Sequence, residues 1–408
     1  MITPADTEQH AVNSAGTSGP SVLFVGEHYR NPKGGLGRYE VELLRSLRQL
    51  PGLEVRTTTL TARPAWAKGI TRLLTGVSAG APVLRGRVRY LSEPDPSVDI
   101  VHFANQQMSG ALWAFRIAQR FGVMPSARVV VTIHDLFPDV CEAVPEFADL
   151  VPDRSFGRFI DRSFHRHALK LADQVIVNSQ ATAIHVEQYL AYPTGRIHVT
   201  LLGADHISLD SGNRQEHPSS TVNRASLGLA PDRHIALYVG SLDARKNVEV
   251  VARAIRELNR AGTPTDLVIA GSARAPQERI DSVRSSGDGS VHLLGHVSEP
   301  DLQALYQLAD VFVFPSRFEG FGFPVLEAMA NGCPVVASTS TSIPEVAGEA
   351  AVLVDPMSVP AWREAISRML FDKGLRTRYV ARGLAHVKSF TWTGTAQATC
   401  TAYRLATQ

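Results

Sequence analysis

Short runs of β-branched and aliphatic residues recur along the chain, each closing on a glycine or a polar residue. In the first half they are SVLFVG (21–26), VDIVHFA (98–104), ARVVVTIHD (127–135), DQVIVNS (173–179) and IHVTLLG (197–203). In the second half they are HIALYVGS (234–241), TDLVIAGS (265–272), VHLLG (291–295), DVFVFPS (310–316), PVVAS (334–338) and AVLVD (351–355). Near-continuous apolar runs belong to strands buried on both faces, as in parallel sheets. Segments with apolar positions at helical spacing separate most of them, at 38–50, 110–121, 158–172, 248–262, 301–309 and 361–370. Strands alternating with helices predict an α/β protein.

The alternation stops at residues 206–232, where HISLDSGNRQEHPSSTVNRASLGLAPD is polar and contains Pro, Ser and Asn. This stretch reads as a linker. It divides the chain into two doubly wound domains, 21–205 and 233–386, and leaves 1–20 as a polar, disordered tail. A length of 408 residues is too much for one ordinary core, which agrees. Open α/β sheets bind ligands outside the carboxyl ends of their strands, so the cleft between two such domains is the expected site.

Composition narrows the class. Hydrophobic residues are 44% and charged residues 20%, as in soluble globular proteins. The net charge of +2 argues neither for nor against a nucleic-acid partner. No run approaches 18 uninterrupted apolar residues, and residues 1–20 lack the apolar core of a signal peptide. Cys141, Cys333 and Cys400 are odd in number and far apart, which suggests no disulfide framework and points to a reducing, cytoplasmic setting. His165 and His167, two apart on a predicted helix, point to different faces and do not make a metal pair.

The stretch RFEGFGFPVLEAMANGCPVVAS (317–338) carries the chemistry. Pro324 opens a helix at a position where its missing N–H costs nothing, and Gly332 sits where a left-handed C-terminal cap belongs. Gly320 and Gly322 let main-chain N–H groups approach a ligand, and with Phe321, Phe323 and the helix start they form an anion site suited to a diphosphate. A carboxylate facing that anion would be repelled. Glu327, placed in the first helical turn, is therefore expected to hold a ribose diol, and Glu319 to face a sugar ring. A phosphate flanked by two polyols is a nucleotide sugar. The plainer alternative is a solvated loop, but that would expose two phenylalanines for no gain.

Glu319, seven intervening residues, Glu327 and the following AMANGCPVVAS resemble the signature of the retaining glycosyltransferases of family 4, which have the GT-B fold. The resemblance runs over about residues 21–390 and takes in GGLGRYE (34–40), TIHD (132–135), LGAD (202–205), VGSLDARKN (239–247), GHVSEPDL (295–302) and SIPEVAGEAAVLVDP (342–356). It implies two facing Rossmann-like domains, the first for the acceptor and the second for the donor, with residues 387–408 packing back on the first.

Residue by residue, the resemblance gives Arg245 and Lys246 the task of clamping the donor diphosphate, beside Gly240. Where the family often has a further arginine after that glycine, this chain has Ser241. Gly35 and Leu36 would offer amides across the cleft, with Gly37 keeping their loop open, and His134 would contact the transferred hexose. The backbone at His296 and Val297 would edge the nucleobase. Glu319, Arg245, Lys246 and His134 are thus the candidate catalytic groups. The chain has no Asp-x-Asp, and a donor site without metal or other cofactor is expected, with Arg245, Lys246 and helix dipoles in its place. Each of these residues has a structural alternative: solvated cations, a turn before a helix, or a satisfied histidine.

The implied reaction is retaining hexosyl transfer from a nucleotide sugar to a saccharide or lipid-linked saccharide. GFGFPVLEAMA with SIPEVAG looks most like mannosyltransferases using GDP-mannose; UDP-glucose and dTDP-rhamnose compete. A nucleotide-sugar 2-epimerase, also built of two facing Rossmann-like domains, is the rival class, although the Glu319–Glu327 loop is not its pattern. Between Glu54 and Glu93 there is no acidic residue, while Arg56, Arg63, Lys68, Arg72, Arg85, Arg87 and Arg89 are interleaved with Trp66, Ile70, Leu73, Leu74 and Val77. Such an element suits either an anionic membrane surface or a solvated face of the acceptor domain.

Overall fold

The computed structural model describes residues 19–30, 34–61, 90–92, 95, 97–150, 156–207, 222–271, 276–286 and 290–408. The first domain holds β1 (Ser21–Val25), β2 (Glu54–Thr58), the short antiparallel pair β3 (Leu60–Thr61) and β4 (Tyr90–Leu91), then β5 (Ile100–Phe103), β6 (Arg128–Ile133), β7 (Gln174–Val177) and β8 (Ile197–Val199). The second holds β9 (His234–Val239), β10 (Thr265–Ala270), β11 (Val291–Gly295), β12 (Val311–Phe314), β13 (Val335–Ser338) and β14 (Ala351–Val354). Apart from the β3–β4 pair, these strands form two parallel sheets, ordered β2-β1-β5-β6-β7-β8 and β11-β10-β9-β12-β13-β14. Every residue of β5, β10, β12 and β13 is buried, which is why those runs read as unbroken apolar sequence.

The expected pattern of strands omits β2. Its sequence EVRTT alternates between exposed and partly buried positions at the sheet edge, so it carries none of the apolar signal of its neighbours. Both sheets reverse their order at one place, between β1 and β5 and between β9 and β12. Loops leaving β1, β9 and β12 rise beside those crevices, where α/β proteins hold their ligands.

The last helix, Trp392–Thr407, packs on the helix Gly34–Leu47 and along β5 to β8. Its Tyr403 hydroxyl lies 2.6 Å from Nδ1 of His102, whose Nε2 is 2.8 Å from Thr132 Oγ1. The crossing back is stitched at Ala204, whose N–H donates to Phe390 O at 2.9 Å, and at Asp205, which accepts from Trp392 N at 2.8 Å. Gly203 permits this approach, since a Cβ there would stand 2.3 Å from Trp392 N.

Residues 222–232, read from sequence as linker, dock on the second domain: Arg224 donates to Arg233 O at 2.6 Å and Leu229 is buried. Residues 208–221, the tail 1–18 and the cationic stretch from Arg63 to Arg89 lie outside the described residues; Arg56 pairs with Glu54 and Asp95. Among the described residues no helix is long and apolar enough to cross a membrane, and the three cysteines are buried and form no disulfide. His165 is partly buried, 2.8 Å from Ser109 Oγ, while His167 is exposed.

Candidate active site

The loop between β12 and the helix Phe323–Ala330 forms one lip of the crevice. Gly322 caps that helix with φ +114°, a conformation that a Cβ disfavours, and Pro324 is in its first turn. Gly332 closes the element at φ +67°. Phe321 is buried against Phe323 and Phe390. Phe318 is wholly buried among Phe137, Phe147 and His185. The aromatic residues around the glycines thus anchor the loop in both domains.

Glu319 is 8% exposed, and its two oxygens are divided between the cations that follow β9. Oε1 accepts from Lys246 Nζ and Oε2 from Arg245 Nη1 at 3.2 Å. Arg245 also donates to Phe318 O at 3.1 Å. Burial pushes the Glu319 carboxyl up, but Lys246 and Arg245 outweigh it and hold the group below its ordinary value. Burial pulls the Lys246 ammonium down against the attraction of Glu319. The carboxylate expected to face a sugar ring is instead engaged with the two cations, which a low-dielectric site leaves as the cheapest partners for a buried negative charge. An ammonium has three donors and a guanidinium five, so both cations keep donors for another anion.

Glu327 is the fifth residue of its helix, not part of the first turn as expected, because the helix begins at Phe323. It too is 8% exposed. Oε1 accepts from Arg38 Nη1 at 2.5 Å and Oε2 from the Tyr306 hydroxyl at 2.9 Å. The other arm of Arg38 reaches Glu299 at 2.5 Å. Burial raises the Glu327 carboxyl above its ordinary value, against the pull of Arg38 and Tyr306. Arg38 belongs to the first domain and both its carboxylates to the second, so it bridges the crevice.

The facing lip differs from the sequence expectation. GGLGRYE is not an open loop: the helix starts at Gly34, and Gly37 is buried inside it. The amides of Gly35 and Leu36 therefore lie among the first N–H groups of a helix, which have no intrahelical acceptor. A Cβ on Gly35 would stand 3.6 Å from the Phe323 ring of the other domain. Glu40, at the end of the motif, is buried and accepts from the N–H groups of His28 (2.6 Å) and Tyr29 (3.0 Å), pinning the turn after β1.

His134 directly follows β6 and is buried, with Nε2 3.1 Å from Ala104 O. A carbonyl only accepts, so Nε2 carries the proton and Nδ1 is left as an acceptor. Burial depresses the ring to about 4, so it is neutral. A sugar hydroxyl would donate to this histidine rather than receive from it. Gly320 touches His134 directly: a Cβ there would be 1.9 Å from His134 O, and Gly320 O accepts from Ser179 Oγ at 2.8 Å.

The remaining expected residues lie in the segments just after β9 and β11. Gly240 directly follows β9 and packs against Tyr238, and Ser241 Oγ donates to Asp243 at 2.7 Å. His296 and Val297 follow β11, the first exposed and the second partly buried. Arg38 and Tyr306 were not anticipated as site residues. Tyr306 looks like a core residue in a helical pattern, and only the fold shows that its hydroxyl meets a carboxylate.

Comparison with known proteins accords with this geometry. Residues 33–206 match the family model described as Glycosyltransferase Family 4, and residues 219–385 that described as Glycosyl transferases group 1. This chain belongs to the glycosyltransferases. The transferase is 28% identical over 397 residues to O-antigen chain mannosyltransferase B of Escherichia coli, covering 94% of this chain and 99% of that one. It is 29% identical over 243 residues to a D-inositol 3-phosphate glycosyltransferase of Segniliparus rotundus, 58% of this chain and 53% of the relative. In fold, the transferase resembles a sucrose-phosphate synthase from Thermosynechococcus elongatus, with TM-score 0.68 at 21% identity over 95% of this chain and 98% of that chain. The two facing parallel sheets are those of the GT-B architecture.

Proposed function

We propose that the protein transfers a hexose, with retention of anomeric configuration, from a nucleotide sugar to a saccharide or lipid-linked saccharide, and that the donor is GDP-mannose. One observation carries this reading: a buried carboxylate, Glu319, is fixed between Lys246 and Arg245 at the carboxyl ends of β9 and β12, next to Gly320, which abuts the His134 carbonyl. The donor diphosphate lies between these cations, the start of the helix Phe323–Ala330 and the amides of Gly35 and Leu36. Its charge grows as the glycosidic bond breaks, and preorganised cations stabilise that charge without reorganisation. Glu319 fixes both cations. The departing phosphate takes the proton of the acceptor hydroxyl as it attacks from the same face.

His134 accepts a hydrogen bond from the hexose through Nδ1. Glu327 accepts from the ribose diol, for which Arg38 or Tyr306 gives way. The full-length likeness to an O-antigen chain mannosyltransferase supports mannose as the sugar and a polysaccharide or glycoconjugate as the acceptor. The cation pair does the work of a divalent ion, so transfer is expected to persist in EDTA. No nucleic acid is required, and contact with an anionic membrane would come from the first domain.

Calorimetric titration with GDP, UDP and dTDP tests the donor. The proposal expects GDP to bind at least about tenfold tighter than the others, a margin of about 1.4 kcal/mol. Equal affinities, or a preference for UDP, would remove GDP-mannose. Proton NMR of the first-formed product decides between retention and inversion.

A further inference from the structure

Thr341, in the turn after β13, has φ +46°. A branched Cβ makes that conformation an outlier, and strained residues persist where their surroundings over-determine them. The Thr341 hydroxyl holds the Glu319 main chain from both sides, accepting from Glu319 N at 2.9 Å and donating to Glu319 O at 3.0 Å. Two neighbours extend the clasp. Ser342 Oγ reaches Glu319 O at 3.1 Å and Phe321 O at 2.9 Å, and Ser338 Oγ donates to Ser316 O at 2.5 Å.

Thr341 also borders a cleft of about 530 Å³ between the domains, lined by His185, Tyr189, Arg317 and Asp355 among others. It is only partly buried, so close packing of a core does not impose its backbone. A glycine would adopt the same turn without strain. What the threonine adds is the pair of bonds to Glu319.

We infer that Thr341 is a positioning residue for transfer: its hydroxyl fixes the main chain of Glu319 so that the carboxylate meets Lys246 and Arg245 together. It acts through Glu319 and does not touch the donor. The inference rests on the transferase reading above. Ser338 and Ser342 keep the loop attached when Thr341 is changed, so the loss falls on geometry and not on folding. Small misplacements of catalytic groups cost rate steeply.

Three variants test it: Thr341→Ser keeps the hydroxyl, Thr341→Val keeps the shape without it, and Thr341→Gly relieves the strain without it. Steady-state transfer, nucleoside diphosphate affinity and thermal midpoint are measured for each. The serine variant is expected to keep kcat within about threefold, while valine and glycine lower it by about 10²-fold with diphosphate affinity little changed. Glycine is expected to melt no lower than the wild type and still be slow, an outcome that a merely structural role does not give. Wild-type kcat in Thr341→Gly overturns the inference. So does a loss of kcat that follows the melting temperature across all three. Failure of the wild type to transfer from any nucleotide sugar is a separate result, which would overturn the functional reading itself.

Discussion

Arg38 and Glu327 face each other across the crevice, with Nη1 of one 2.5 Å from Oε1 of the other. The bond joins the two domains and occupies the carboxylate assigned to the ribose. Removing Arg38 leaves that buried carboxyl with Tyr306 alone. Burial already raises the group, and without the guanidinium it rises further. A raised carboxyl loses its charge as pH falls through its new value, so Arg38→Ala should lose nucleoside diphosphate affinity at a higher pH than the wild type. Titrations between pH 5.5 and 8 measure this; superimposable pH profiles would refute it.

Lys246 is the main partner of Glu319. Lys246→Met keeps the length and removes the charge from both Glu319 and the diphosphate. Loss of one preorganised electrostatic group costs about 3 kcal/mol of barrier, so kcat should fall by about 10²–10³-fold. Initial rates at saturating donor give the value, and a fall below about tenfold would deny Lys246 its role.

Gly320 is the contact at which the two domains leave no room for a side chain. In Gly320→Ala the methyl meets the His134 carbonyl, and the domains must part at that point. Each domain should keep its own fold, while transfer falls sharply and small-angle scattering shows a larger radius of gyration. An alanine variant as compact and active as the wild type would show that this contact is not needed for the reaction.

His102, between Tyr403 and Thr132, anchors the last helix. Burial, with a contribution from neighbouring His134, depresses it to about 3, so it is neutral when folded. The unfolded chain takes up a proton near the ordinary value of about 6.5 and the folded one does not. Stability from this group is therefore present at neutral pH and lost as pH falls from about 6.5 toward 3. Below pH 6 the slope approaches about 1.4 kcal/mol per pH unit. Urea unfolding of wild type and His102→Gln at pH 7 and pH 5 should show the gap between them narrowing on acidification. A constant gap would exclude the neutral buried histidine.

Much of this was legible in the sequence. The buried strands read as apolar runs because both faces are covered, and the glycines around Phe321 and Phe323 marked a tight approach of main chain. The cation pair was singled out by the family resemblance, since two charges in a loop after a buried strand could equally have been solvated. What stayed hidden depends on tertiary partners. Arg38 lies 289 positions from Glu327, and an arginine on an amphipathic helix carries no mark of what it will meet. The hand-over of Glu319 to Lys246 and Arg245 was equally unreadable, since sequence gives neighbours along the chain and not directions of side chains. β2 was missed because an edge strand can be polar, and the start of the first helix because three glycines look like a loop.

The crossing at Ala204 and Phe390 has a mechanical consequence. The chain passes between its two bodies twice, and hydrogen bonds at Ala204 and Asp205 tie the outgoing passage to the returning one. Two pins set side by side define an axle. Rotation about that pair is the motion it would resist least, and Gly35 and Phe323, on opposite lips, are the residues such a rotation would part. Gly320 would then come back to the His134 carbonyl each time the crevice shut.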